Sequence, residues 1–251
     1  MSNQTTIDAA AWQDSWDRQQ AAYMPDREQR FAAMLDAVEA VAGPAPAILD
    51  LAGGTGSISL RALRRLPGAT TTLLDVDPVL LTIARASVDE RSTVVTADLR
   101  TPGWTAALPR RDYDAVLTAT ALHWIDEERL RALYAEVHGV LRPGGLFINA
   151  DHMADGDLPT VSEALDVWSA GQLAARWAGG ALSWEAWWSH LAEDPSLGPL
   201  LAERTRVFGG LHAAEFAPDA AWHLAALRSA GFGEVGLIWR GATDAAITAL
   251  R

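Results

Sequence analysis

The sequence predicts an α/β fold built on a doubly wound, mostly parallel sheet. An apolar run from Pro46 to Asp50 is followed directly by a glycine-rich turn, Gly53–Gly56, and by a helix-forming segment at 59–66. Strand, tight turn and helix in this order open the nucleotide-binding type of α/β sheet. Further apolar runs alternate with helical segments up to residue 150, which is the pattern of parallel strands joined by crossover helices.

Acidic residues end three successive predicted strands, at Asp50, Asp75 and Asp98. Because ligands of open α/β sheets bind beyond the carboxyl ends of the strands, these carboxylates should face one ligand. A carboxylate beside the turn would repel a pyrophosphate by roughly 1–4 kcal/mol, and it favours a cationic or amine-bearing ligand. Ser59 stands where a dinucleotide-binding turn has its third glycine. Asp75 lies near the spacing from Gly56 at which an acidic side chain reaches ribose hydroxyls.

Composition excludes several kinds of chemistry. The chain has 251 residues, of which 49% are hydrophobic, enough for one large domain or a domain with an insertion. Its formal charge of −12 argues against a nucleic-acid partner, because phosphates are neutralised by Lys and Arg. It contains no Lys and no Cys, which excludes Schiff-base lysines, disulfides and thiolate metal sites. No signal-type or membrane-spanning apolar run is present, so we expect a cytoplasmic enzyme without a membrane partner.

The N-terminal part, residues 1–45, is predicted to form a helical lid. A helix over residues 7–23 places Trp12, Trp16 and Tyr23 on one face, at spacings of 4 and 7. This stripe either covers the core or lines a mobile lid over a small-molecule pocket. In the second case these three side chains contact the substrate.

The rest of the chain divides into three predicted parts. Residues 46–154 form the ligand-binding core, residues 155–217 a helical insertion rich in tryptophan, and residues 218–251 the last helix with two closing strands. In the insertion, Trp184, Trp187, Trp188 and Leu191 fall on one helical face behind Ser183. That face either docks the insertion on the domain, or it walls an apolar substrate pocket or a dimer interface.

Histidines follow two of the predicted strands. His123 and Trp124 come just after the fourth strand, and His152 follows Asp151 at the end of the fifth. His123 is the best candidate for a catalytic base because it lies at the end of the fourth strand and histidine is the commonest general base in enzymes, with His152 second and Tyr23 third. The alternative for His123 is a structural hydrogen bond. We expect no metal site, since adjacent residues on a strand point in opposite directions.

Taken in order, these motifs resemble the class I S-adenosylmethionine-dependent methyltransferases. The first motif of that family, acidic-x-G-x-G-x-G, matches residues 50–56, with Ala52 where the first glycine usually stands. Further matches lie at residues 113–117, at the A-L-H-W of residues 121–124 and at the L-R-P-G-G-L of residues 141–146. The resemblance covers residues 28–150 well and 218–250 more loosely.

The resemblance implies a seven-stranded sheet of order 3-2-1-4-5-7-6 whose last strand is antiparallel. It also implies S-adenosylmethionine as cofactor and S-adenosylhomocysteine as product. Asp75 would bind the ribose diol, Asp98 would face the adenine amino group, and the glycine turn would pack against the methionine part. The implied cofactor-binding residues are Asp50, Ala52, Gly53, Gly54, Gly56, Asp75, Val76, Asp98, Leu99, Thr118 and Ala119.

The predicted activity is methyl transfer to an O, N or C atom of a small, largely apolar or aromatic acceptor, with specialised metabolism as one setting. His123 is the predicted catalytic residue. The predicted substrate contacts are Trp12, Trp16, Tyr23, Trp124 and His152. The alternatives are a same-scaffold enzyme that uses the cofactor non-reactively, for example in a cyclisation, an NAD-dependent oxidoreductase, and a non-catalytic binding protein. A homodimer is one assembly that the tryptophan-rich segment allows.

Overall fold

The computed structural model describes residues 7–24, 26–209 and 215–251. The strands in these ranges are β1 (Ala47–Leu51), β2 (Thr70–Asp75), β3 (Ser92–Thr96), β4 (Tyr113–Ala119), β5 (Leu141–His152), β6 (Glu234–Arg240) and β7 (Asp244–Leu250). They form one sheet of order β3-β2-β1-β4-β5-β7-β6. All neighbours pair in parallel except β7, which is antiparallel to both β5 and β6. The predicted fold class, strand order and antiparallel last strand are confirmed.

Helices cover both faces of the sheet. They are α1 (Ala9–Tyr23), α2 (Arg27–Ala42), α3 (Ser57–Arg65), α4 (Pro78–Ser87), α5 (Glu127–Val140), α6 (Pro159–Ala178), α7 (Trp184–Ala192), α8 (Leu201–Phe208) and α9 (Ala220–Ser229). Helices α2 and α3 pack on the face that carries Ile48 and Leu117, and α5 and α9 pack on the opposite face with Leu49 and Val116. Strands β1 and β4 are therefore covered on both sides, which explains why their sequences are almost continuously apolar.

Asp77, Asp126 and Ser183 each precede a helical pattern in the sequence and predict a helix start there, and side-chain caps confirm all three. Asp77 accepts hydrogen bonds from two backbone N–H groups at the start of α4, and Pro78 is the first helical residue. Asp126 caps α5 and Ser183 caps α7 in the same way. Each cap satisfies backbone donors that have no partner within the helix.

The boundary between α5 and β5 differs from the prediction. In the sequence, Pro143-Gly144-Gly145 is a stop signal that predicts a helix ending at Leu141 and a strand beginning at Leu146, but β5 begins at Leu141. Pro143 disfavours a helical conformation for the residue before it, so this segment is already extended. The end of the chain pairs with it, since Gly144 N–H donates to the carbonyl oxygen of Arg251 at 2.8 Å.

The tryptophan stripe of α1 packs against the insertion. The rings of Trp12 and Trp16 lie 5.8 and 5.0 Å from that of Trp187, in edge-to-face arrangements. Trp187 and Leu191 are fully buried, and Val79 of α4 belongs to the same cluster. Of the alternatives for these two stripes, the structure shows packing: α1 and α7 share a small core on top of α4.

Helix α6 is attached much more lightly, although it is the longest described helix and contains no buried residue. Arg176 donates to the carbonyl oxygen of Ala22 at 3.1 Å, and the rings of Tyr23 and Trp177 lie 5.8 Å apart. In the described ranges, no helix combines the length and apolar content needed to cross a bilayer.

Candidate active site

The glycine turn takes left-handed backbone conformations at three positions, with φ values of 51° at Ala52, 55° at Gly54 and 91° at Gly56. The residue that departs from the family motif, Ala52, therefore adopts a conformation that costs a non-glycine residue roughly 1–2 kcal/mol. At Gly53 the restriction is steric instead. A Cβ atom there would lie 2.8 Å from Leu73 Cγ and 2.9 Å from Asp50 Cγ.

Asp50, the acidic residue near the end of β1, lies underneath this turn. Its side chain is fully buried, and Oδ2 accepts hydrogen bonds from the backbone N–H (3.0 Å) and hydroxyl (2.7 Å) of Ser59. Burial raises the pKa of Asp50 to about 7, although the bonds from Ser59 oppose the rise. Among the described residues, Asp50 Oδ1 has no hydrogen-bond partner.

Asp75 ties the end of β2 to the glycine turn. Its Oδ2 accepts from Gly54 N–H at 2.8 Å, and its Oδ1 accepts from Val76 N–H at 2.6 Å and from Asp77 N–H at 2.9 Å. Burial raises the pKa of Asp75. A carboxylate offers about four acceptor positions, so Oδ2 keeps capacity for a further donor.

Asp98 stands two residues beyond the end of β3. Burial alone would raise the pKa of Asp98, but the hydrogen bonds and charge of Arg100 outweigh it and lower the pKa. The guanidinium binds both carboxylate oxygens, with Nε 2.9 Å from Oδ1 and Nη2 2.8 Å from Oδ2. An adenine amino group at Asp98 would therefore share this carboxylate with Arg100. The next residue, Leu99, is buried, and Val76 after β2 is half-buried.

The end of β4 supplies a second set of polar atoms. Thr118 is fully buried, Ala119 is half-buried, and Thr120 has a φ of 50°. The hydroxyl oxygens of Thr118 and Thr55 have no hydrogen-bond partner in the described part of the chain, as for Asp50 Oδ1. Buried polar atoms normally find partners, so unpaired ones at neighbouring strand ends fit a polar ligand.

His123, which follows β4, and Asp151, which is in the last part of the neighbouring strand β5, form a buried pair. His123 Nδ1 lies 2.7 Å from Asp151 Oδ1, and the two side chains are 7% and 2% exposed. Burial would raise the pKa of Asp151, but its hydrogen bond with His123 outweighs this and lowers the pKa. A carboxylate on Nδ1 fixes the ring orientation and leaves Nε2 as the nitrogen that can accept a proton.

A second carboxylate–imidazole pair lies beside the first. His152 Nδ1 is 2.6 Å from Asp244 Oδ1, and Arg30 Nη2 is 2.7 Å from Asp244 Oδ2. The rings of His123 and His152 are 5.5 Å apart, and the ring of Trp124 is 4.8 Å from that of His123. His152 and Asp244 face each other because β5 and β7 pair in this register. No group of three or more His, Asp or Glu side chains in the described ranges is arranged to hold a metal ion.

The predicted substrate contacts thus separate into two groups. Trp124 and His152 lie next to His123. Trp12, Trp16 and Tyr23 instead contact the insertion. The Tyr23 hydroxyl oxygen accepts from the backbone N–H of Trp184 at 2.8 Å, and the two tryptophans pack on Trp187.

Sequence reasoning missed the polar contacts of α1 with the glycine turn. Gln13 Nε2 donates to Ser57 Oγ at 3.2 Å, and Ser57 Oγ donates to Asp17 Oδ1 at 2.9 Å. Arg27 and Arg61 both pair with Asp17. Helix α1 therefore lies across the amino end of α3, directly beside the turn. The available signal was the i, i+4 spacing of Gln13 and Asp17 next to the tryptophan stripe.

The comparisons with known proteins agree with this geometry. A family model described as a methyltransferase domain matches residues 48–145. The ubiquinone/menaquinone biosynthesis C-methyltransferase UbiE of Acidiphilium cryptum is 31% identical over 216 residues, which is 83% of this chain and 72% of the relative. The chain belongs to the class I S-adenosylmethionine-dependent methyltransferases. An uncharacterised methyltransferase of Mycobacterium bovis is 36% identical to this methyltransferase over 98 residues, or 39% of this chain and 36% of that one.

Solved structures show the same fold. An O-methyltransferase family protein of Burkholderia thailandensis superimposes on the methyltransferase with a TM-score of 0.58 at 19% identity, covering 93% of this chain and 58% of that one. Human N-acetylserotonin methyltransferase, solved with S-adenosylmethionine, gives a TM-score of 0.56 at 17% identity, covering 98% and 59%. The methyltransferase thus spans about three fifths of the length of these two chains.

S-adenosylmethionine is the cofactor of the methyltransferase. The residues at the strand ends fit it, because its ammonium, ribose hydroxyls and adenine amino group are all hydrogen-bond donors, and the side chains there offer mostly acceptors. Membership of the methyltransferase family excludes the alternative of an NAD-dependent oxidoreductase.

Proposed function

We propose that the methyltransferase methylates an O, N or C atom of a small, largely apolar or aromatic acceptor, and that His123 is the general base when the acceptor is a hydroxyl. The observation that carries this proposal is the buried pair of His123 and Asp151, which lies beside the partly exposed ring of Trp124. An oriented imidazole next to an aromatic side chain suits an acceptor with one apolar body and one acidic proton.

The cofactor-binding residues are proposed from the same strand ends. Asp75 would accept from the ribose hydroxyls, Asp98 from the adenine amino group, and Asp50 Oδ1 from the ammonium. The remaining positions frame the cofactor through backbone or apolar contacts; they are Ala52, Gly53, Gly54, Gly56, Val76, Leu99, Thr118 and Ala119. The bound cofactor supplies an electrophilic methyl group on a sulfonium, so the protein mainly has to position the acceptor.

His123 would accept the acceptor's proton at Nε2 as the methyl group transfers. Asp151 holds the ring by Nδ1 and stabilises the imidazolium that forms, because it remains charged in its buried site. A carbon or nitrogen acceptor that needs no base would use the same pocket, with His123 as a positioning residue. The relatives' names include both a C-methyltransferase and an O-methyltransferase, so carbon as well as oxygen is a candidate for the methylated atom.

Two parts of the chain would enclose the acceptor. Residues 1–45 are proposed as a lid, and this is supported by the contacts of Gln13 with Ser57 beside the glycine turn. Residues 155–217 are proposed as a cap, and this is supported by the packing of Trp187 against α1. The remaining residues, 46–154 and 218–251, would form the cofactor-binding core.

The test uses methyl-labelled S-adenosylmethionine and a panel of phenols, aromatic amines and enolisable ketones. Label recovered in an acceptor supports the proposal, and the position of the label identifies the methylated atom. Turnover of an acceptor without label transfer would support the non-reactive alternative instead. His123→Gln is the matched variant: a drop of about 100-fold for hydroxyl acceptors with unchanged S-adenosylhomocysteine affinity supports a general base. An unchanged turnover rate in His123→Gln would show that His123 has a structural role only.

A further inference from the structure

The outward face of α6 is apolar along its whole length. Six positions at alternating spacings of three and four carry only apolar residues: Val161, Ala164, Trp168, Gly171, Ala175 and Ala178. All six are exposed, Val161 by 50% and Trp168 by 56%, and Val167 beside them is 72% exposed. These residues are called the α6 stripe. They make α6 an exception among surface helices, whose outward faces are normally polar.

The rest of α6 shows how the stripe lies relative to the domain. The half-buried positions centre on another side of the helix from the stripe; they are Ser162, Leu165, Ser169, Leu173 and Arg176. Trp177, which is also off the stripe, contacts Tyr23. Tertiary packing supplies most of the stability of helices in proteins, and a helix without a buried side chain gains little of it. A partner surface that covers the stripe would add such packing.

We propose that α6 pairs antiparallel with α6 of a second copy of this chain. The alternating spacing is that of the a and d positions of a two-stranded helix pair. In an antiparallel pair, Val161 of one copy meets Ala178 of the other, Ala164 meets Ala175, and Trp168 meets Gly171. Each large side chain thus faces a small one. Gly171 has open space around the position of its missing Cβ, where a tryptophan ring from the second copy fits.

A parallel pair fits the same stripe poorly, because each residue then faces its own counterpart. Two Trp168 side chains would compete for one layer, and two Gly171 residues would leave a void in the next. Overpacking and voids each destabilise a packed interface. The sequence of the stripe therefore favours the antiparallel orientation.

Charge also favours a second copy over a membrane surface. The chain has a formal charge of −12, so two copies approach with least repulsion through a face that carries no ionised side chain. The stripe is such a face. The ionised residues elsewhere on α6 are the acidic Glu163 and Asp166 and a single basic residue, Arg176. Helices that bind anionic bilayers are instead rich in Lys or Arg.

Sedimentation velocity of the full chain tests the assembly. We expect a species of about twice the 26.9 kDa chain mass, and Trp168→Glu should weaken dimerisation by about 100-fold, since a central aromatic residue typically dominates such an interface. Ala170→Glu is the matched control, because it adds the same charge at an exposed position off the stripe. Both variants should bind S-adenosylhomocysteine like the wild type, which shows that they are folded.

The absence of cysteine in this chain permits a direct test of orientation. Ala164→Cys and Ala175→Cys should each form no disulfide alone, because 11 residues of helix separate the two positions by about 16 Å. A mixture of the two variants should form an intermolecular disulfide under mild oxidation. A disulfide in the Ala164→Cys protein alone would indicate parallel pairing and overturn the proposal.

Two further results would also overturn it. One is a wild-type chain that stays monomeric up to about 100 μM, a range that detects micromolar dissociation constants. The other is sedimentation of the wild type, but not of Trp168→Glu, with phosphatidylglycerol vesicles, which would assign the stripe to a lipid surface.

Discussion

Asp151 Oδ1 lies 2.7 Å from His123 Nδ1, and both side chains are almost completely withdrawn from solvent. His123 follows β4 and Asp151 lies near the end of the parallel neighbour β5, so the register of these two strands brings the residues together. A buried histidine that stayed neutral throughout would not require a buried carboxylate as its partner. The pair is the arrangement that holds an imidazole in one tautomer and stabilises its protonated form.

Asp151→Asn should therefore act through His123. We expect turnover of a hydroxyl acceptor to fall by about 10²- to 10⁴-fold, because the asparagine amide cannot stabilise the imidazolium as a carboxylate does. The affinity for S-adenosylhomocysteine, measured by calorimetry, should stay within about twofold of the wild type, since Asp151 contacts His123 and not the glycine turn. Full activity in this variant would show that the pair is structural.

The fold was predictable because its signals are local. The turn at residues 52–56 and the apolar runs place the first strands, and the last two strands, which the sequence pattern predicts at 234–240 and 244–250, match β6 and β7 at both ends. The start of β5 differs from the prediction because Pro143 and Gly144 are locally typical of the end of a helix. In the structure this segment pairs with Arg251, more than 100 residues away, and no local pattern reports such a contact.

The candidate site was predictable only in part, for the same reason. The positions of Asp75 and His123 at strand ends follow from sequence, but their partners follow from register. Asp244 meets His152 only because β7 runs antiparallel to β5 with one particular alignment. Likewise, the spacing of Trp12 and Trp16 in the sequence predicts that they share one helical face. It does not predict that Trp187 covers that face.

Cofactor binding should release a proton from Asp50 near pH 6.5. Burial raises its pKa to about 7, so a large part of the carboxyl is protonated there without ligand. A cationic cofactor favours the charged form, so affinity should rise as pH increases through 7. Calorimetry in buffers of different ionisation enthalpy measures the proton release directly, and Asp50→Asn should abolish this component. Equal proton release in the variant would assign the proton to another group.

Removing a methyl group at Ala52 should stabilise the protein, whereas adding one at the neighbouring Gly53 should destabilise it. Ala52→Gly relieves a left-handed alanine, worth roughly 1–2 kcal/mol, but gives the unfolded chain more freedom, worth about 0.4–1 kcal/mol. We expect a net gain of up to about 1 kcal/mol in the free energy of unfolding. Gly53→Ala should cost about 1–3 kcal/mol, because the new Cβ collides with Leu73 and Asp50. Denaturant unfolding measures both, and a stabilised Gly53→Ala protein would contradict the packing described for the turn.

Asp75→Ala should weaken cofactor binding by roughly 1–3 kcal/mol through lost charge-assisted hydrogen bonds. Because Asp75 also holds Gly54 N–H, part of the loss would come from the turn itself. Asp75→Asn is the matched control, since its amide oxygen can still accept from Gly54. Affinity in Asp75→Asn that falls between the wild type and Asp75→Ala would separate the two roles. Unchanged affinity in Asp75→Ala would remove this residue from the site.

The ion pair of His152 and Asp244 should make stability depend on pH in a defined direction. The hydrogen bond that His152 donates to Asp244 raises the pKa of His152. A histidine with a raised folded pKa contributes stability that is fully present below its unfolded pKa of about 6.5 and is lost as pH rises through the folded pKa. Asp244→Asn should therefore destabilise the protein more at pH 6 than at pH 9.

The contact of Arg30 with Asp244 is lost in this variant at both pH values, so the comparison between the two pH values isolates His152. The expected difference is about 0.5–1 kcal/mol, a modest value because the imidazole is partly exposed and solvent screens it. Urea unfolding at the two pH values provides the measurement. In a His152→Asn background the cost of Asp244→Asn should become independent of pH. If the pH dependence persisted there, a group other than His152 would be responsible for it.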